Sequence, residues 1–457
     1  MSRVWAVAKN SFVSAMRMKT AIVFMLLLIV LLPIMSLTST GDGTLKGRVQ
    51  SFVSYGLGLT SFLLSILTIV VSCYTLSSDI KNKRIYMVVT KPIRRFELVL
   101  GKVLGVAVLD FLLLFVFSTI IYSLALEMHR FVKTSPEELA AVNNEFFTAR
   151  MALKANYDEG VVSTRAEEAY KNLQSSGQLS EDKSKQVIMN ELAEAARHSL
   201  YSAEPGGVVI WEFEKVKPAD TNDSFFVRFK FDASNIPTDK LFYGVWYIGD
   251  YRQIKYGQDK VKTPIYTVAR KDVMRMVHEF QVPADAVAAD GYLAVVFYNE
   301  LENNSTVIFS EEEGMEVLYK AGSFAENYAL AVLIIFSRLV FFAVLGVSLT
   351  TWLGFPVAIL ICFVAFFTGV INGFITTSFD YMGNNMAILY QFTIKPFLWL
   401  LPKFDENYNI NKYVIDARLI QSGFFAMAVV NLAIKSVLLL LASFIIFARR
   451  ELAKIIV

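Results

Sequence analysis

Long apolar runs alternate with polar ones along this chain. On a window of about 19 residues, six runs stand out, near 20–37, 54–77, 103–126, 327–350, 352–376 and 424–448. At about 1.5 Å of rise per residue each is long enough to cross roughly 30 Å of hydrocarbon, so the pattern predicts six transmembrane helices. The first run is too long for a signal-peptide core and "MSLTSTGDG" offers no small-residue cleavage site, so it is expected to be a retained span. Residues 1–19 carry Val4, Trp5, Val7, Ala8, Phe12, Ala15 and Met16 at mixed three- and four-residue spacing, which predicts an amphipathic interfacial helix before the first span.

The pattern changes between the third and fourth spans. Residues 127–203 read as a helical stalk of three helices. Ser135 precedes Pro136 as a helix start in "TSPEELAAVNNEFFTARMALKANY". Thr164 and Glu167 form a capping-box pattern in "TRAEEAYKNLQ", and "SEDKSKQVIMNELAEAARHSL" follows. After "EPGG" at 204–207 the period becomes two, in "WEFEKV", "FFVRFKF", "LFYGVWYIG", "YLAVVFYNE" and "STVIFS". That predicts a β-sandwich or jelly-roll over 204–325, with a short helix near "KDVMRMVHEF". The expected fold is thus an α-helical polytopic membrane protein of six spans, with an inserted α+β outer domain. Residues 326–457 hold spans 4–6, and an outer loop spans 377–423. Within that loop "NMAILYQFTIKPFLWLLPKF" is apolar but broken by Pro396 and Pro402, which predicts a re-entrant or interfacial pair of helices.

Composition agrees: 55% of the 457 residues are hydrophobic, which a soluble chain of this length rarely reaches. The formal net charge of +3 gives no reason to expect nucleic acid. Cys73 and Cys362 both lie in apolar runs, and His129, His198 and His278 are scattered singly, so no metal site is expected. Basic residues cluster in 1–19, in 79–102 and in "ARRELAK" at the end. With six spans these three segments share one side, and the positive-inside bias makes that side the cytoplasm. The setting would be a plasma (inner) membrane, with both termini cytoplasmic and the large domain outside.

The loop "DIKNKRIYMVVTKPIRRFELVLGK" at 79–102 holds seven basic residues and two acidic ones. Attraction to anionic headgroups and topology account for the charge. They do not account for the apolar "IYMVV" or for the break at Pro92, which disfavours helix at Lys91. This stretch resembles the cytoplasmic loop of type-2 exporter permeases of the ABC transporter family. Asp79, Pro92, Arg94, Arg95, Gly101 and Lys102 occupy the places of that family's acidic residue, proline, basic residues and Gly-Lys entry to the third span. The sequence departs from the pattern where Asp79 stands for the usual Glu and Lys83-Arg84 for the common Gly-Thr. The interfacial N-terminal helix, the turn "SLTTWLGFPVA" and the basic end "FARREL" fit the same family, over roughly 1–126 and 327–457. The outer insertion is not part of its pattern.

The resemblance implies a permease that dimerises, with a second copy or a paralogue, and docks on a separate ATPase subunit. A coupling helix near 83–90, within the loop 78–102, would present Ile85, Tyr86, Met87 and Val88 to the ATPase, with Pro92, Arg94 and Arg95 at the bend. ATP and Mg would bind the partner: no G-x-x-x-x-G-K-[ST] loop exists here, since Val103 follows Gly101-Lys102 and Phe96 stands where the first glycine should be. This chain is therefore expected to be no enzyme and to bind no cofactor itself. Its other contacts would be membrane lipids.

Asp110, Arg338 and Lys435 fall inside predicted spans, where each would cost about 2.5–3.5 kcal/mol at the bilayer centre if left alone. The expectation is that Asp110 pairs with Arg338 or Lys435, with Asn372 and Asn431 adding hydrogen bonds. The pairing would either fix helix packing or take part in substrate movement. In the outer domain Trp211, Trp246 and Tyr247 are either ligand-binding aromatics or core. A membrane-anchored envelope sensor that binds a glycan or protein ligand through the sandwich is the alternative function.

Overall fold

The computed structural model describes residues 2–81, 94–130, 134–155, 159–177, 185–217, 224–236, 240–255, 263–310, 314–380 and most of 390–449 (all but 391, 397, 400, 405–407 and 409). Two compact units result. One comprises 1–148, 323–379 and 389–457, and the other comprises 149–322 with 380–388.

The first unit is helical. Helix α1 (Ser2–Met16) precedes α2 (Lys19–Thr38), α3 (Leu45–Lys81) and α4 (Arg95–Glu127). Helix α5 (Pro136–Glu145) follows, and Ser135 caps it as expected by accepting from the Glu138 N–H at 3.2 Å. In the second unit α6 (Glu159–Ser175) and α7 (Lys185–Leu200) pack on each other. The chain returns to the first unit with α8 (Phe324–Thr350), α9 (Phe355–Val370), α10 (Asn372–Asp380), α11 (Ile410–Ile415) and α12 (Ser422–Arg449).

Helices α2, α3, α4, α8 and α12 are each long and apolar enough to cross a membrane, and the chain is a multi-pass membrane protein. The predicted fifth span, 352–376, takes another form. Helix α9 has 16 residues, or about 24 Å, and the chain breaks at Ile371 before α10 begins. The break has a tertiary cause: the Phe404 N–H donates to the Gly369 carbonyl at 2.9 Å, and the Asn372 side chain binds carbonyls of Leu398 and Leu401. Helices α3, α4 and α8 form the centre of the bundle, burying Phe52, Leu64, Leu67, Leu109, Phe117, Ile334 and Phe342 among other side chains.

The second unit holds eleven strands: β1 (Thr148–Lys154), β2 (Ser202–Ala203), β3 (Val208–Phe213), β4 (Ser224–Phe229), β5 (Phe231–Ala233), β6 (Leu241–Gly249), β7 (Tyr266–Val273), β8 (His278–Pro283), β9 (Leu293–Asn299), β10 (Val307–Phe309) and β11 (Met315–Ser323). They form sheets ordered β1-β11-β4-β8, β2-β10-β5 and β3-β9-β6-β7. The sheets share one aromatic core that contains Phe213, Phe225, Phe229, Phe231, Phe297 and Phe309. Strand β3 alternates exposed and buried positions from Val208 to Phe213, the period of two seen in the sequence.

Three local expectations fail here. Residues 148–154 form a strand, not the tail of a helix. Arg150 is buried there against Glu279 of β8 at 2.6 Å, with its guanidinium 5.0 Å from the Phe226 ring, and this non-local partner overrides helix propensity. Thr164 is no cap: α6 begins at Glu159, and the Thr164 hydroxyl donates back to the Gly160 carbonyl inside the helix. The short helix expected near 271–280 is a turn between β7 and β8, with Arg275 at φ 64°.

Candidate functional site

The two roots of the 79–102 loop are described, and they are joined. Asp79 near the end of α3 forms an ion pair with Lys102 of α4, and the Lys102 ammonium also donates to the Thr75 carbonyl at 3.2 Å. Lys102 is 3% exposed, so its charge is compensated within the protein. Glu97 accepts from the Arg94 N–H at 2.7 Å and closes the first turn of α4. Arg95 donates to the carbonyls of Phe447 (2.7 Å) and Ala448 (3.0 Å). It thereby satisfies the C-terminal end of α12, where orphan carbonyls favour a cation. Beneath these contacts Leu76, Leu98, Val99, Val103, Val344, Val347 and Phe447 form a separate apolar cluster.

Helix α1 is clamped to this root. A Cβ on Gly101 would lie 2.6 Å from the Val7 Cβ and 2.9 Å from the Val4 carbonyl oxygen, and one on Gly105 would lie 2.6 Å from the Ala8 carbonyl oxygen. Ala8, Ser11 and Ala15 are the buried face of α1. Small residues on both helices let the backbones approach, the small-x-x-x-small packing of membrane helices. Trp5, expected on the apolar face, is 61% exposed, whereas Val7, Phe12 and Met16 of the same set pack inward.

Ile85, Tyr86, Met87, Val88 and Pro92 lie outside the described residues. Arg94 is exposed at the helix start, while Arg95 is spent on the α12 terminus. Sequence reasoning singled out Asp79 and Lys102 separately and missed that they meet. It also missed Gly105, although Gly101-x-x-x-Gly105 was a readable signal.

The intramembrane polar residues do not pair as expected. Among the described residues, no ion pair links Asp110 to Arg338 or to Lys435. Asp110 is fully buried and accepts from the Thr68 hydroxyl at 2.8 Å. Arg338 donates to the Ser61 hydroxyl and lies 5.5 Å from the Phe404 ring. Thr68 and Ser61 are two turns apart on α3, about 10 Å along its axis, so Asp110 and Arg338 reach that helix at different depths. Lys435 donates to the Leu401 carbonyl at 3.1 Å. Asn372 donates to the carbonyls of Leu398 and Leu401, and Asn431 bonds the Tyr408 hydroxyl.

Arg338, Lys435, Asn372 and Asn431 thus converge on the chain around Pro402, at Leu398, Leu401, Phe404 and Tyr408, and Phe404 also packs against Phe342 and Gly369. Pro402 interrupts regular structure there and leaves carbonyls that need donors. Broken backbone is tolerated in a membrane only where protein groups satisfy it, and Asn372 and Lys435 supply donors to the Leu398 and Leu401 carbonyls.

Trp211 and Trp246 are core: they are 2% and 1% exposed, with ring centroids 6.2 Å apart, and are closed to a ligand. Tyr247 is 41% exposed on the outer face of β6. A polar group sequence reading passed over lies on the same unit. Arg252 bridges Asp250 (2.9 Å) and Asp290 (2.7 Å) above the Tyr292 ring. Its hydrogen bonds hold the Asp290 carboxyl down at about 2.

Compared with protein-family models, characterised proteins and solved structures, the chain matches none. The class that the structure itself defines is a multi-pass helical membrane protein with an inserted β domain.

Proposed function

We propose that this chain is the membrane subunit of an ATP-driven exporter of the ABC type, working as a dimer and coupled to a separate ATPase through the loop at 79–102. The observation that carries the reading is the way the loop is rooted. Its two ends are tied by Asp79 and Lys102, held to α12 by Arg95, and covered by α1 at Gly101 and Gly105. Force applied to such a loop would move α1, α3, α4 and α12 together, which a transmission element needs and a topology signal does not. In this reading the basic end faces the cytoplasm of a plasma membrane, the β domain lies outside, and α9 with α10 completes the crossing. The exposed apolar flanks of α2 and α12 meet lipid or the second copy.

The sensor reading loses its main support with Trp211 and Trp246 in the core. The test is to purify the protein with its ATPase partner and change Met87 and Val88 to Asp. The proposal requires the ATPase to be lost from the complex while the membrane protein stays folded. Unchanged association would overturn it.

A further inference from the structure

Beside Arg338 lies a cavity of about 170 Å³ between α3, α8, α9 and the residues Phe404, Tyr408 and Ile410. Leu57, Phe62, Ile335, Phe366 and Val370 wall it, and Ser61, Arg338 and Tyr408 supply its polar atoms. Arg338 sits near mid-span, 14 residues into the 27-residue α8, so its charge is costly there without a counter-charge. Among the described residues it donates to Ser61 and lies against the face of Phe404. The Nε–H is buried and has no partner among the described residues. No described residue forms an ion pair with it. Ser61 accepts from Arg338 with its oxygen, so its hydroxyl hydrogen remains available to a second acceptor. The Tyr408 hydroxyl, by contrast, is committed to the Ala428 carbonyl at 3.1 Å. A planar guanidinium and a hydroxyl donor converging on a small apolar-walled space match the oxygens of a carboxylate or phosphate.

We propose that this cavity binds the anionic head of an amphiphile, with Arg338 and Ser61 as the donors to its oxygens and the apolar walls taking the first methylenes. The cavity is smaller than the roughly 300–1,000 Å³ of pockets that take drug-sized ligands, which suits a headgroup and not a whole lipid. The site is independent of the ATPase reading, since it concerns only the membrane unit. Asp405 and Glu406, which lie outside the described residues, are the chain's own alternative source of negative charge, and the test separates the two.

The purified full-length protein in a neutral maltoside detergent is titrated with oleate, lysophosphatidylglycerol, inorganic phosphate and, as the uncharged control, oleyl alcohol. Binding is read by native mass spectrometry and by the shift in thermal unfolding. The expected result is one oleate or lysophosphatidylglycerol per chain, with no retained oleyl alcohol. Arg338→Gln should weaken it tenfold or more, Arg338→Lys and Ser61→Ala less. Preference for oleate identifies a carboxylate head and preference for the lysolipid a phosphodiester, whereas retention of inorganic phosphate with neither amphiphile bound would overturn the proposal. The double variant Asp405→Asn with Glu406→Gln should leave affinity unchanged. The proposal is overturned if no charged probe binds the wild-type protein, if Arg338→Gln or the pair Arg338→Lys and Ser61→Ala bind as tightly as wild type, or if binding emerges only in the Asp405/Glu406 variant.

Discussion

Asp79 and Lys102 form an ion pair that closes the base of a loop whose ends are otherwise the termini of two separate long helices. Their side chains are 18% and 4% exposed, so the two partners are not equivalent. Asp79→Asn strands a buried ammonium and is expected to cost about 3 kcal/mol, whereas Lys102→Met removes the buried charge and costs less. Thermal unfolding in detergent checks the order; equal losses in the two variants would show that the pair is solvated.

The clamp on α1 predicts a steric phenotype. A Cβ at Gly101 or Gly105 has no room, and overpacking there is expected to cost about 1–3 kcal/mol and to lift α1. Ser11→Cys, at a fully buried position, should resist a maleimide in the otherwise native protein and react once Gly101 and Gly105 are both Val. Equal labelling in both backgrounds would refute the docking.

Cys73 of α3 and Cys362 of α9 have their sulfurs 3.8 Å apart, both fully buried. Copper-phenanthroline oxidation should join them, so that fragments cleaved between the two positions separate only on reduction. Cys73→Ser should abolish the link. Its persistence in that variant, or its failure to form in the native chain, would place α9 elsewhere.

In the β domain, Trp246→Ala empties the shared core and is expected to cost about 3–5 kcal/mol, while Tyr247→Ala should stay within about 0.5 kcal/mol. Unfolding of the β domain followed by tryptophan fluorescence reads both. Similar costs would contradict the opposite facing of these neighbours.

The Asp290 carboxyl, held down at about 2 by Arg252, carries the pH dependence of its cluster. A depressed carboxyl stabilises the fold above the unfolded value of about 4 and loses that contribution as pH falls through about 2. Arg252→Gln should therefore lower the unfolding temperature at pH 5 and converge with the native protein near pH 2. A gap that persists at pH 2 would assign the effect to packing on Tyr292. The cluster is exposed, so the gap is small.

The apolar runs placed all five long helices, because hydrocarbon thickness acts on length and composition alone. Periodicity of two located the β domain for a similar reason, since alternation follows from having one buried face. Residues 148–154 misled because Arg150 finds Glu279, 129 positions further along the chain, only once the intervening residues have folded. The charged residues in the spans misled in the same way. At about 1.5 Å per residue the sequence places Asp110 roughly 11 Å and Arg338 and Lys435 roughly 18–20 Å from the cytoplasmic edge, a difference long side chains could span, but their partners turn out to be Thr68, Ser61 and the Leu401 carbonyl.

By itself, then, the sequence determined that this is a membrane protein, where its spans lie, and that a β-rich domain interrupts them, because each of these follows from local transfer free energy. Only the tertiary structure decided that the helix of the fifth apolar run is broken at Ile371, that Asp79 meets Lys102, and that Arg338 and Lys435 meet Phe404 and the Leu401 carbonyl beside Pro402. Those outcomes depend on which buried polar group finds a partner first within reach, and reach is a property of packed helices and not of spacing along the chain.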